Sequence, residues 1–428
     1  MAMAVRFGTD GIRGRYPEEV HEDLAYRLGR AVAQVFPRPV FLGYDTRESS
    51  PLLAAALYEG LVDGGAVGIN LGLFTTPGVA VTAKARGGVG VVVSASHNLY
   101  QDNGLKVLGP GGGKLDHATE AALEIALREA PSPPSGDFHL GPLDELAETA
   151  YVAHLLGAAA ARLDGLRVII DCANGSASHV AQRLFSQTGA HFTLLNSQPN
   201  GHNINDHCGS TSPEQLRQAV LAEGADLGLA LDGDADRLIA VDAQGTVRDG
   251  DDLMALFSQD LQRNGRLGAG VALTIMSNLG LRKALSDLKI EVVETDVGDR
   301  HVAAALEEHE WHFGGEQSGH LLFRDLAPSG DGLLTGLLLL ALVARHGPLA
   351  TQCDALWHRI PQELANFPVM SFDEGAARDR FSRLCAQYGY REQDVRLVIR
   401  PSGTEPVIRV MVEAPDASFI EEFLLTLQ

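Results

Sequence analysis

Short apolar runs of strand length alternate with helix-like stretches along most of this chain. PVFLGYDTR reads as a strand and a turn, and PLLAAALYEGLVDGG as a helix that ends in glycines. VGVVVSAS is an apolar run that stops at polar residues, and LRVIIDCANG, DLGLALDGD and GVALTIMSN repeat that form. Runs such as VVV, VII and LGLAL are apolar at every position rather than at alternate ones, the pattern of parallel strands covered on both faces. Strand-turn-helix alternation predicts α/β layers around mainly parallel sheets. PSPPSG, from Pro131 to Gly136, is a linker candidate, followed by the helix-like stretch LDELAETAYVAHLLGAAAARL. Further breaks are expected near Asp249–Asp252 and Pro361–Pro368. The C-terminal stretch has a different pattern, a helix and then VRLVIRPSGTEPVIRVMVEA, which reads as a hairpin.

Composition narrows the class. The 428 residues are 45% apolar and 21% charged, which fits globular units with buried cores rather than a disordered chain. Lys and Arg number 34 against 55 Asp and Glu, a formal charge of −21. That balance argues against nucleic acid and against anionic membranes as partners. A phosphate ligand would need cations gathered locally. Cys172, Cys208, Cys353 and Cys385 form no CxxC pair, so they read as free thiols of a reducing compartment. Arg6 and Asp10 interrupt any signal-peptide core, and the apolar stretch Gly332–Ala344 falls short of the roughly 20 residues of a spanning helix. The expectation is a soluble, cytoplasmic protein.

Several clusters could carry chemistry. Asp232-Gly-Asp234-Ala-Asp236-Arg237 follows an apolar run, and Gly233 permits a turn that converges three carboxylates. Such a trio cannot all stay ionised without a cation, and a hard divalent ion suits oxygen ligands. A calcium EF-hand loop fails, because its sixth and twelfth positions are Arg237 and Ala243. Ser94-Ala-Ser96-His97-Asn98 follows another apolar run, placing a hydroxyl at the carboxyl end of a strand. Adjacency in sequence does not make Ser96 and His97 a catalytic pair, and no G-x-S-x-G elbow surrounds them. Gly109-Pro-Gly-Gly-Gly-Lys114 fails as a phosphate loop, since Leu108 and Leu115 stand at required positions, and reads as a flexible hairpin loop. Gly314-Gly-Glu316-Gln-Ser318-Gly-His320 offers a carboxylate, a hydroxyl and an imidazole to a polyhydroxylated ligand. Arg400-Pro-Ser402-Gly403-Thr404, with Arg409, is the inventory of an oxyanion cradle. Phe7-Gly-Thr-Asp-Gly-Ile-Arg13-Gly sets another Arg between glycines. Each cluster taken singly also fits an ordinary turn.

Together and in this order, FGTDGIRG, SASHN, DGDADR, GGEQSGH and RPSGTEP resemble the α-D-phosphohexomutase superfamily nearly end to end. FGTDGIRG, NINDHCGSTSPEQL, TDVGDRHV and Gln317 are most similar to its phosphoglucosamine mutase branch, against phosphomannomutase/phosphoglucomutase. The resemblance implies three similar α/β/α domains with mixed, mainly parallel sheets and a smaller C-terminal α+β domain around a central cleft. With the breaks above, that gives segments 1–150, 151–250, 251–365 and 366–428. It implies Ser96 as the phosphoryl carrier, and Asp232, Asp234 and Asp236 as ligands of one Mg²⁺ per subunit, with Ser96 completing the metal site. Glu316 and Ser318, with His320 of the same loop, would meet the sugar, and Arg400, Ser402, Gly403, Thr404 and Arg409 its existing phosphate. Arg13, His97, Lys106 and Arg237 would surround the transferring group, with His97 or Lys106 as the base. Leu99, where Pro is common, and Ala235, often Gly, depart from the pattern without removing a functional group.

The implied reaction interconverts glucosamine 6-phosphate and glucosamine 1-phosphate through a 1,6-bisphosphate, supplying UDP-N-acetylglucosamine synthesis. It needs phosphorylated Ser96 or glucosamine 1,6-bisphosphate to start. The partners implied are a small phosphosugar and a second copy in a homodimer. The rival readings are a phosphomannomutase/phosphoglucomutase of the same superfamily, a metal-dependent sugar-phosphate hydrolase and a catalytically silent binding protein.

Overall fold

A computed structural model describes residues 11–134, 136–159, 162–402 and 407–427. The first sheet contains β1 (Ile12–Arg15), β2 (Val40–Tyr44), β3 (Gly68–Leu73), β4 (Val89–Val93) and β5 (Asp102–Leu108), in the order β1-β5-β4-β2-β3. β3, β2 and β4 are parallel, while β5 runs antiparallel to both β4 and β1. The second sheet contains β6 (Arg167–Asp171), β7 (His191–Leu195), β8 (Leu227–Leu231), β9 (Leu238–Asp242) and β10 (Val247–Arg248), ordered β10-β9-β8-β6-β7. Its order matches the first, with β7, β6 and β8 parallel and β9 antiparallel. The third sheet contains β11 (Gly270–Thr274), β12 (Glu291–Thr295), β13 (Phe313–Gly315) and β14 (Leu321–Phe323), ordered β12-β11-β13-β14. It repeats the same plan without the last edge strand. The fourth sheet is antiparallel, β15 (Gln362–Pro368), β17 (Val407–Glu413) and β16 (Arg396–Pro401) in that order. The three α/β/α units and the smaller α+β unit are the architecture expected from the sequence.

The apolar runs fall where the pattern put them. β4, β8 and β11 are buried at every position, because helices cover both faces of their sheets. One continuous apolar cluster joins Phe74 and Val79 of the first unit, Ile170 and Leu229 of the second, and Leu253 and Leu340 of the third. The fourth unit keeps a core of its own, built from Val410, Val412, Phe419, Ile420 and Phe423. No single helix among the described residues is long and apolar enough to cross a membrane.

Two features differ from the sequence reading. Residues 109–114 do not join two strands, because β5 is followed by the helix His117–Glu129. The segment is instead a turn closed by Gly109 N–H donating to Gly113 O (2.8 Å), and Lys114 reaches Asp299 of the third unit at 3.0 Å. The Pro361–Pro368 stretch reads as a break but is almost wholly strand, so the fourth sheet reaches back to Gln362, across the expected 365/366 division. A proline at the end of an edge strand leaves the ladder intact.

Tyr151, on the helix Ala147–Ala159, sits where three units meet. Its ring packs edge-on to Phe74 at 5.6 Å, and its hydroxyl donates to Asp331 Oδ2 at 2.7 Å. Asp331 also caps the helix Gly332–His346 by accepting from Leu334 N–H (3.0 Å). Burial raises the Asp331 carboxyl to about 6, against the hydrogen bonds from Leu334 and Tyr151. The folded chain therefore holds this proton more tightly than the unfolded chain, and the group's stabilising contribution is lost as pH rises from about 4 through about 6. Asp331→Asn keeps the cap and an acceptor for Tyr151. Denaturant titrations from pH 4 to 7 should show wild-type stability falling relative to that variant over this window.

Candidate active site

The loops that carry the candidate chemistry occupy the same place in three repeated sheets. Each leaves the last parallel strand and enters the antiparallel one: 94–101 after β4, 232–237 after β8 and 316–320 after β13. This is the carboxyl end of the parallel strands, where α/β sheets present ligand sites. The backbones touch. A Cβ at Gly233 would lie 2.5 Å from Ser96 O, and one at Gly319 2.1 Å from Leu238 O. Glycine at these positions is what lets the second loop meet the first and the third.

Ser96 stands at φ 50°, a conformation rare outside glycine, so the fold imposes the direction of its hydroxyl. Ser96 Oγ donates to Asp232 Oδ2 at 2.5 Å and lies 3.4 Å from His97 Nδ1. Asp232 Oδ1 accepts from the backbone N–H of Asp236 (3.1 Å) and Arg237 (3.2 Å), which curls the loop around it. Asp234 Oδ2 accepts from Thr76 Oγ1 and from Lys106 Nζ, both at 2.6 Å. One oxygen from each of Asp232, Asp234 and Asp236 lies within 4.8 Å of the others, and all three residues are buried. Asp234 Oδ1 and Asp236 Oδ1 are buried with no partner at hydrogen-bond distance among the described residues. Burial and the charges of Asp236 and Asp234 push Asp232 well above the usual carboxylate range. Burial works the same way on Asp236, but His320, Lys106 and Arg237 outweigh it and hold that carboxyl low. Converging oxygens with unmet lone pairs and an uneven share of charge fit a hard divalent cation.

The two histidines have opposite settings. Burial, then the guanidiniums of Arg237 and Arg13, lowers His97 to about 4, so its imidazole is neutral at neutral pH. Burial also works against charge on His320, but Asp236, Asp299 and Glu316 raise it to about 9. Its Nδ1 lies 3.6 Å from Asp236 Oδ1 and its Nε2 3.5 Å from Asp299 Oδ2. Lys106 is 3% exposed and also lies 3.9 Å from Asp236, so its ammonium is embedded between two acids.

In the third loop, Glu316 Oε1 accepts from Gly298 N–H at 2.8 Å, which ties it to the segment before the helix Asp299–Glu308. Ser318 Oγ is buried with no hydrogen-bond partner among the described residues. In the fourth sheet, Arg400 and Arg409 are cross-strand partners on β16 and β17. Burial and the Arg409 charge hold Arg400 below its usual range, with Asp296 of the third unit pulling the other way. Two guanidiniums placed side by side call for an anion between them. Ser402 closes the end of β16 by donating its N–H to Val407 O at 2.8 Å. Gly403 and Thr404 lie outside the described residues.

Sequence reasoning missed the residues that hold the first loop in place. Arg47 is 1% exposed and donates to the carbonyls of Ser96 (2.9 Å), Asn98 (2.9 Å) and Leu99 (2.6 Å) while paired with Asp45 at 2.9 Å. Asn205 Nδ2 donates to Ser96 O at 2.8 Å, from the second unit. Thr76 supplies a hydroxyl to Asp234 across the same boundary. Asp45-Thr-Arg47 follows β2 at the carboxyl end of a parallel strand, a signal that was present in the sequence.

Comparison with known proteins agrees with this layout. Family models described as phosphoglucomutase/phosphomannomutase alpha/beta/alpha domains I, II and III match residues 4–132, 149–245 and 249–360, and the C-terminal domain of that family matches residues 387–425. A phosphoglucosamine mutase of Desulforamulus reducens is 43% identical over 99% of this chain and 98% of its own length. A crystal structure of a phosphoglucomutase/phosphomannomutase family protein from Burkholderia thailandensis superposes with a TM-score of 0.81 at 25% identity, covering 99% of this chain and 96% of that one. A structure of Aspergillus fumigatus N-acetylphosphoglucosamine mutase in complex with GlcNAc-6P and magnesium shares the fold, with a TM-score of 0.70 at 18% identity over 99% of this chain and 95% of that one. Four matched domains in sequence order and a full-length relative at this identity lead to one conclusion: the chain belongs to the phosphoglucosamine mutase family of the α-D-phosphohexomutases.

Proposed function

We propose that this protein is a phosphoglucosamine mutase that moves a phosphoryl group between O6 and O1 of glucosamine through phosphorylated Ser96. The observation that carries the reading is the meeting of Ser96 Oγ with the carboxylate trio, 2.5 Å from Asp232. The relatives' name supplies the sugar.

In this reading the P–O bond to Ser96 Oγ breaks as a sugar oxygen bonds to phosphorus; the sugar hydroxyl gives up its proton and the departing Ser96 oxygen takes one, so the serine ends as a neutral hydroxyl. The 1,6-bisphosphate then turns, and its other phosphoryl group returns to Ser96. The transfer asks the protein mainly for position and for charge to balance the moving group. Asp232, Asp234 and Asp236 would hold one Mg²⁺, which when bound neutralises the acids and draws charge from the phosphoryl oxygens. Neutral His97, 3.4 Å from Ser96 Oγ, is placed to accept the proton of that hydroxyl when Ser96 takes the phosphoryl group back. Lys106, fixed by Asp234, is better placed to balance charge on the moving group. Glu316 and Ser318 would bind sugar hydroxyls, with the charged His320 behind them. Arg400 and Arg409 would grip the phosphate that is not reacting. One grip at one end and one reactive site at the other explain why the ligand must turn.

Ser96→Ala should lower kcat/KM for glucosamine 6-phosphate by at least about 10³-fold while leaving the circular dichroism spectrum unchanged. Full activity in that variant ends the phosphoserine role. A coupled assay, primed with glucosamine 1,6-bisphosphate, should rank glucosamine 6-phosphate above the 6-phosphates of glucose and mannose in kcat/KM. The reverse order favours the phosphomannomutase/phosphoglucomutase reading, and release of free phosphate the hydrolase. Adding Mg²⁺ to chelator-treated protein should raise Tm, because the cation relieves repulsion among three buried acids, and Asp234→Asn should shrink that rise.

A further inference from the structure

The fourth unit meets the third through hydrogen bonds and ion pairs, and its core is separate from the cluster that unites the other three. Arg396 donates to Ser277 O (2.9 Å) and to Ile275 O, and pairs with Glu413 at 3.2 Å. Glu413, fully buried, accepts from Leu279 N–H at 2.9 Å. Asn278 exchanges two hydrogen bonds with Ile360, at 2.9 and 3.0 Å, just before β15. A polar joint beside a separate core permits a change of angle that an apolar interface would resist.

Gln317 reaches into this joint. It is the middle residue of Glu316-Gln317-Ser318, and its backbone O accepts from Gly250 N–H at 3.0 Å. Its side-chain Nε2 donates to Asp251 Oδ2 (3.1 Å) in the third unit and to Gln362 Oε1 (3.2 Å) at the start of β15. Gln362 Nε2 in turn donates to Met276 O (3.0 Å) and to Glu413 Oε1 (3.2 Å). Gln362 and Glu413 are cross-strand partners at one end of the fourth sheet. Arg409 lies four residues from Glu413 on β17, about 14 Å along an extended strand. A small tilt at Glu413 is therefore magnified at the guanidinium pair.

The geometry points to Gln317 as a positioning residue that couples the seating of the sugar on loop 316–320 to the angle of the fourth unit, and so to the setting of Arg400 and Arg409. This rests on the proposed function, since it takes that loop as the sugar contact. A shift of Glu316 or Ser318 toward a ligand passes through the Gln317 backbone between them to the amide held by Asp251 and Gln362. Closing of the anion grip is in this way made conditional on the sugar end of the ligand.

The test uses the full-length enzyme with Mg²⁺, carrying fluorophores on cysteines introduced at Met370 (98% exposed, fourth unit) and Leu146 (76% exposed, ahead of the second sheet), with Cys385 replaced by serine. Wild type should show a change in energy transfer on addition of glucosamine 6-phosphate. Gln317→Met fills the same volume without the amide. It should still bind the sugar phosphate in calorimetry, lose more than half of the energy-transfer change, and raise KM by about 10-fold with a smaller effect on kcat. Gln362→Met should do the same, and the double variant should have a KM within about 2-fold of the worse single variant. A purely structural role would lower Tm and leave the energy-transfer change intact. A full change in Gln317→Met, KM effects that multiply in the double variant, or no change in a wild type that binds the ligand overturns the coupling alone. Absence of ligand binding by wild type overturns the functional reading and the coupling with it.

Discussion

Three carboxylates and a lysine share a buried pocket at the centre of this molecule, and the rest of the structure is arranged around that cost. Removing ions from water is unfavourable unless each meets a partner at close range. Asp234 meets Lys106 and Thr76, Asp236 meets His320, and Asp232 meets the Ser96 hydroxyl. These partners come from the first and third units, while the acids come from the second. No single unit can satisfy the pocket alone, and the shared apolar cluster is what holds the three units in register.

The repeated sheet plan solves the assembly problem. A loop at one topological position appears three times, and each copy has taken a different chemistry: a hydroxyl, a set of acids, and a polar surface suited to a sugar. The fourth unit supplies what those loops lack, two guanidiniums side by side. An acidic chain of formal charge −21 thereby gathers some of its positive charge at a pair able to meet an anion.

Much of this was legible in the residues. The apolar runs marked β4, β6, β8 and β11, and the acids after β8 read as candidate cation ligands, whose oxygens the fold does bring within 4.8 Å of one another. Ser96 stood out by its place after a buried strand. The supports did not stand out. Arg47 is 49 residues from Ser96, Asn205 is 109 residues away, and Thr76 is 158 residues from Asp234. Such pairs arise from how sheets pack, and no local pattern encodes that. The 109–114 segment misled for the converse reason. Its glycines describe a turn well, but they do not specify the element on its far side, which here is a helix.

The separate core of the fourth unit also affects how the protein comes apart. Regions with few shared apolar contacts open at lower free energy than the body they attach to. A partial opening of β15–β17 would carry the Arg400–Arg409 pair away from the other three units and leave the acid pocket closed. The fourth unit would then come loose before the body built by the other three loses its shape.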